Sequence, residues 1–223
     1  MTDIKKNLHD IADHLPEGVK LVAVSKFHPE EEIMMAYEEG QRVFGESHEQ
    51  ELSRKHGALP NDIEWHFIGH LQTNKVRSIV PYISMIEAVD SIRLLREIEK
   101  QAARIDKVVD CLLELHIAEE ATKYGLTLQQ CRDMLKEGEW RDMKHVRIRG
   151  LMMMASFVDD EQQIKKEMCL AADFFDEVKK DFFANDDGFA CRSWGMSDDF
   201  HIALQCHSNM IRVGTSIFGP RQY

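Results

Sequence analysis

Apolar residues recur along the 223-residue chain in short runs at 19–25, 42–45, 63–69, 83–89, 108–117, 146–154, 190–195 and 210–214. Runs of this length, bounded by polar or turn-forming residues, predict strands buried on both faces. Between them the apolar spacing changes to the three-and-four pattern of amphipathic helices, at 30–39, 48–55, 74–79, 91–104, 128–136, 160–183 and 198–205, with a short turn at 215–218. Residues 1–11 carry the same spacing and predict an extra helix ahead of the first strand. Ser91, or Asp90 before it, suits a helix N-cap, and Gly40 suits a helix end. A strand followed by a helix, eight times over, predicts an α/β fold of the (β/α)8 TIM barrel type.

The rival architecture is an open doubly wound sheet. No G-x-G-x-x-G follows the first strand to support it. No Pro-, Gly- or Ser-rich linker interrupts the pattern, and Asn185-Asp186-Asp187-Gly188 reads as a loop, so residues 1–223 are expected to form one domain.

Composition narrows the function. A net charge of −11 with no basic run argues against a nucleic-acid partner. No apolar stretch is long enough for a signal peptide or a membrane span, so a soluble, cytoplasmic protein is expected. Cys111, Cys131, Cys169, Cys191 and Cys206 are odd in number and form no C-x-x-C pair, which suits reduced interior thiols better than disulfides or zinc ligands.

In a barrel of this type the reacting groups lie on the loops after the carboxyl ends of the strands. Lys26 ends the first strand, where partial desolvation would free its amine to attack a carbonyl. Glu46-Ser47 follows the second strand, Gly69 to Lys75 the third, and Lys123-Tyr124-Gly125 the fifth. After the seventh, Ser197 is an N-cap candidate whose hydroxyl could face an anion. After the eighth, Gly214 permits close backbone approach and Thr215 opens a short helix with its hydroxyl available. These last two loops are the usual phosphate site of such barrels. A phosphate site opposite an isolated strand-end lysine suggests pyridoxal 5'-phosphate (PLP).

Ala23-Val24-Ser25-Lys26, Phe44-Gly45-Glu46, Trp65-His66-Phe67-Ile68-Gly69, Arg149-Gly150-Leu151-Met152, Gly195-Met196-Ser197-Asp198-Asp199 and Arg212 to Gly219 together resemble the PLP homeostasis protein family. The resemblance spans nearly the whole chain, in order. It implies a barrel like the N-terminal domain of alanine racemase, with Lys26 holding PLP as a Schiff base. Ser197, Gly214 and Thr215 would then hold the phosphate, and Arg212 would face the pyridine nitrogen.

Met152 or Met154 would pack near the ring, Met152 being the choice carried forward. Ser47 stands where the family commonly has Asn, and His70 where Pro is often found. The implied role is to hold and release PLP, with apo PLP-dependent enzymes as recipients. The racemase's second domain has no counterpart here, so a monomer is expected.

The alternative is an amino-acid racemase or lyase, which needs a second acid/base opposite Lys26. Tyr37, Tyr82 and Tyr223 fall elsewhere, which leaves Tyr124 as a catalytic candidate with packing as its plainer role. His66 and His70 would not share a helix face and have no evident carboxylate partner, so no metal site is expected. Glu114 and Glu119-Glu120 read as barrel polar groups and loop solvation. The pairs at 159–161 and 198–199 read as charges complementing helix starts.

Overall fold

The computed structural model describes residues 2–117 and 124–220. Glu119, Glu120, Lys123 and Tyr223 therefore lie outside the described residues. Eight parallel strands close into a barrel in sequence order: β1 (Lys20–Val24), β2 (Val43–Glu46), β3 (Glu64–Phe67), β4 (Met85–Val89), β5 (Val109–Leu115), β6 (Val146–Met153), β7 (Cys191–Ser193) and β8 (Met210–Val213). The (β/α)8 barrel inferred from the hydrophobic pattern is the fold observed.

Helix α1 (Ile4–Ala12) precedes the barrel, and α2 (Glu30–Glu38), α3 (Glu49–Ala58), α4 (Val76–Ile79), α5 (Ile92–Ala103), α6 (Leu128–Glu137), α7 (Glu161–Phe182), α8 (Phe200–Gln205) and α9 (Thr215–Phe218) follow the successive strands. Local chemistry sets their ends. The Ser91 hydroxyl accepts the Leu94 N–H at the start of α5. Thr127 and Gln130 form a reciprocal capping box on α6. The Asp160 carboxylate caps α7, and Gly40, at φ 95°, ends the turn after α2.

Apolar residues fall into two layers. The large core lies between strands and helices and includes Phe44, Trp65, Ile86, Leu113, Met153, Phe175 and Ile211. Inside the barrel, Val22, Val43, Met85, Ala88, Leu112, Met152 and Met210 form a smaller apolar floor. Met210 faces inward and Ile211 outward, as the two-residue period of β8 requires. The floor leaves the carboxyl end of the barrel as the place where polar groups collect.

Two expectations are corrected. The helix predicted from residue 198 begins only at Phe200, because the Asp199 carboxylate accepts the Met196 N–H and keeps 196–199 in a turn. The cysteines are not all thiols. Cys169 and Cys206 are joined by a disulfide with Cα atoms 4.9 Å apart, while Cys111, Cys131 and Cys191 are free. Packing of α7 against α8 brings the two together, a proximity that a separation of 37 residues conceals.

Closing a loop of that length predicts a stabilisation of about 3–4 kcal/mol on the chain-entropy account. In urea unfolding, Cys169→Ser is expected to lose up to that amount. A dithiol reductant should bring the wild type down to the variant and leave the variant unchanged.

Candidate cofactor site

A cavity of about 530 Å³ opens at the carboxyl end of the barrel, within the usual range for a small-molecule site. Lys26 reaches it from β1, Ser47 from β2, Met154 from β6, Ser197 from the loop after β7, and Arg212, Gly214 and Thr215 from β8 and its loop. Six of the seven cofactor residues predicted from the sequence therefore share one space. Met152 does not: it is wholly buried in the barrel floor, and Met154, one inward-facing position further on, lines the cavity. Tyr124 is also outside the lining. Its exposed ring stacks on His70 with centroids 3.8 Å apart.

Lys26 is half-buried, and the backbone on either side of it is fixed. The Ser25 carbonyl accepts bonds from Lys55 Nζ at 2.7 Å and from the His28 N–H at 3.1 Å. On the other side the Phe27 N–H donates to Glu51 Oε1 at 2.7 Å, and Phe27 takes the left-handed conformation at φ 67°. Such a conformation is unfavourable for a bulky residue and persists only where its surroundings enforce it.

Lys55 enforces it. Its side chain is 0% exposed, and its ammonium donates to Glu46 Oε1 and Glu51 Oε1 at 2.7 Å each as well as to Ser25. The Ser25 hydroxyl also donates to Glu46. Burial pushes the Glu46 carboxyl above the ordinary range despite the Lys55 charge beside it. Sequence reasoning placed Lys55 only as a helix residue, since nothing local shows that an α3 lysine turns inward beneath the β1 loop.

The loops after β7 and β8 meet through Ser197. Its hydroxyl oxygen accepts the N–H groups of Gly214 and Ser216 at 3.3 and 3.4 Å, so it joins the two loops rather than capping α8. A Cβ on Gly214 would lie 3.0 Å from the Val24 carbonyl oxygen; glycine lets β8 run this close to β1. Two N–H groups converging on an oxygen, with no side chain between, suit a phosphate oxygen. Together with the lysine and the arginine, this donor set fits PLP.

Arg212 is buried yet fully engaged at its inner end. Nη1 donates to the Ser193 carbonyl at 2.8 Å and to its hydroxyl, and Nη2 donates to the Met153 carbonyl at 2.8 Å. Behind it, Glu87 accepts from Ser193 Oγ at 2.6 Å and pairs with His66 Nδ1 at 2.6 Å. His70 Nδ1 pairs with Asp90 at 3.1 Å. Each histidine thus has the carboxylate partner that the sequence did not reveal.

Glu114, on β5, is a buried carboxyl with Oε2 lacking a hydrogen-bond partner. Burial, reinforced by Asp90 and opposed by Arg212, pushes its pKa up to about 7.

Comparison with known proteins follows this geometry. The family described as the N-terminal domain of alanine racemase matches residues 1–222. The chain is 34% identical over 212 residues to the pyridoxal phosphate homeostasis protein of Pasteurella multocida, covering 93% of this chain and 89% of that one. The protein of the same name from Schizosaccharomyces pombe is 34% identical over 208 residues, covering 92% and 85%.

Among solved structures, PipY of Synechococcus elongatus without PLP superposes with a TM-score of 0.91 at 32% identity, covering 97% of this chain and 100% of that one. The same protein with PLP bound gives 0.88 at 31%, with equal coverage. Alanine racemase of Clostridium difficile shares the fold, with a TM-score of 0.76 at 15% identity, covering 99% of this chain and 60% of that one.

Two outcomes are expected. Lys55→Met strands Glu46 and Glu51 without their cation and should cost about 3–5 kcal/mol in urea unfolding, whereas Glu46→Gln should cost less. For Glu114, the folded chain holds the carboxyl proton more tightly than the unfolded chain, a contribution present below the ordinary 4.5 and lost as pH rises through about 7. Glu114→Gln should therefore melt above the wild type at about pH 8, by up to about 3 kcal/mol, and gain nothing at about pH 4.

Proposed function

Because the chain belongs to the alanine racemase N-terminal-domain family and, within it, to the pyridoxal phosphate homeostasis proteins, we propose that it holds PLP on Lys26 and releases it, keeping the intracellular cofactor pool in balance. The observation that carries this reading is the single cavity shared by Lys26, Arg212 and the donors around Ser197.

When bound, PLP supplies an aldehyde carbon that an unprotonated lysine amine can attack. Every other part is played by the chain. Lys26 presents its amine from a turn whose carbonyl and N–H are both tied down, so its direction is set before ligand arrives. The Ser197 and Thr215 hydroxyls and the Gly214 and Ser216 N–H groups would hold the phosphate. Arg212 would donate to the ring nitrogen and cannot surrender its proton, so that nitrogen would stay an acceptor. Ser47, shorter than the usual Asn, and Met154 line the same cavity and would complete the lining around the bound group.

Holding rather than turnover is the reading that Tyr124 supports, since its ring stacks on His70 instead of lining the cavity. We also propose that the chain works as a monomer in the cytoplasm and passes PLP to apo-enzymes. Among the described residues no helix is long and apolar enough to cross a membrane.

Borohydride reduction of the PLP-loaded protein should add cofactor mass to the peptide containing Lys26, and Lys26→Ala should abolish that adduct and the visible band. An adduct on another lysine, or an unchanged band in Lys26→Ala, would sink the assignment. Ser197→Ala should weaken PLP binding about three- to tenfold while leaving pyridoxal, which lacks the phosphate, unaffected. Transfer of PLP from the protein to an apo-enzyme, followed by recovery of that enzyme's activity, tests release.

A further inference from the structure

Four side chains from four strands form one directed chain through the barrel interior: Arg212 (β8), Ser193 (β7), Glu87 (β4) and His66 (β3). All four are buried, with Glu87 and Ser193 at 0% exposure. Their hydrogens can be assigned from chemistry alone. Arginine only donates, so Ser193 Oγ accepts from Nη1 and spends its own proton on Glu87 Oε2. An ionised Glu87 only accepts, so His66 donates through Nδ1 to Oε1. Glu87 Oε2 also lies 3.8 Å from Nη1 of Arg212, close enough to balance its charge directly.

A buried carboxylate is costly unless it neutralises or orients something. Burial alone would raise the Glu87 pKa, yet the His66 bond and charge, the Arg212 charge and the Ser193 bond together bring it below the ordinary value, so it is an anion at neutral pH. Asp199 and Glu114 also act on Arg212, but neither is joined to the guanidinium by a hydrogen bond or through a shared partner: the Asp199 carboxylate accepts the Met196 N–H, and Glu114, with a pKa near 7, is only partly charged at neutral pH. Glu87 is the anion linked to Arg212 through a hydrogen-bonded side chain, and Ser193 is the link that carries orientation.

We infer that Glu87 is a positioning residue for the cofactor ring: through Ser193 it fixes the direction of the Arg212 guanidinium and balances its charge, without touching the ligand. The inference rests on the reading that this cavity binds PLP with Arg212 at the ring. It goes further in assigning a role to a carboxylate on the far side of the barrel, 106 residues from Ser193 in sequence.

The test uses the full-length protein loaded with PLP, and compares wild type, Glu87→Gln, Ser193→Ala and Arg212→Gln, with each of the first two also combined with Arg212→Gln. In Glu87→Gln the amide can still bridge Ser193 and a His66 of the other tautomer, so mainly the charge is lost; Ser193→Ala removes the link and leaves both charges. Each is expected to keep the borohydride adduct at Lys26, to raise the PLP dissociation constant about tenfold and to move the visible absorption maximum of the bound cofactor. In the Arg212→Gln background neither change should have a further effect, because both act through Arg212.

Wild-type affinity and absorption in both single variants would overturn the inference, as would effects that persist undiminished without Arg212. Should Glu87→Gln fail to fold, Ser193→Ala and its combination with Arg212→Gln decide the matter by the same criteria. Absence of a Lys26 adduct in the wild type would instead defeat the underlying cofactor reading, so the two failures are told apart by the peptide carrying the label.

Discussion

Pairing of β1 with β8 is the constraint on which the site depends. The register sets Val22 beside Arg212 and Ala23 beside Val213, so the chain returns, 190 residues later, to the strand that leads into Lys26. Nothing local brings these segments together; closure of the barrel does. Gly214 then passes so near the Val24 carbonyl that an added Cβ would sit 3.0 Å from its oxygen, a contact that would push the two strands apart. Lys26, just after the first strand, and Arg212, Gly214 and Thr215 at the end of the last thereby come to border one space, although they are remote in sequence.

The barrel interior is divided by chemistry along its axis. Under the cavity lies an apolar floor, and above it lie His66, Glu87, Glu114, Ser193 and Arg212, with the Glu46–Lys55–Glu51 cluster at the side. Charges held so deep are tolerable only where each has a partner, and most do. Their energetic yield is small or negative compared with an apolar filling. What they give is direction: the Lys55 cluster aims the Lys26 turn, and the Glu87 chain aims Arg212. Glu46 and Glu114 each keep one oxygen without a hydrogen-bond partner, and burial raises the pKa of both carboxyls.

The barrel was legible in the sequence because each buried strand is a short apolar run and the helices between them keep an amphipathic spacing, some with a capping side chain at the start, signals that occupy few consecutive residues. That Lys26, Ser197, Gly214 and Thr215 border one cavity was foreseeable for the same reason, since each lies where a strand pattern stops. The resemblance pointed to Met152 or Met154, which share one parity on β6 and so one face; parity does not give depth, and it is Met154 that lines the cavity. A bulge after Cys111 shifts the β5–β6 register and removes even an approximate guide. The Glu87 partner of His66, the Ser25 and Glu46 partners of Lys55 and the Cys169–Cys206 bond depend on contacts between elements, which neither spacing nor composition encodes.

Ser197 carries a consequence for ligand exchange. Its hydroxyl oxygen already receives the N–H groups of Gly214 and Ser216, so these donors have an internal acceptor when no anion is present. An arriving phosphate competes with the protein's own oxygen, and a departing one leaves no stranded polar groups behind. At 3.3 and 3.4 Å the internal contacts are long, so giving them up costs little. Both ends of the exchange are thereby levelled, which suits a carrier whose value lies in lending its cargo rather than in keeping it.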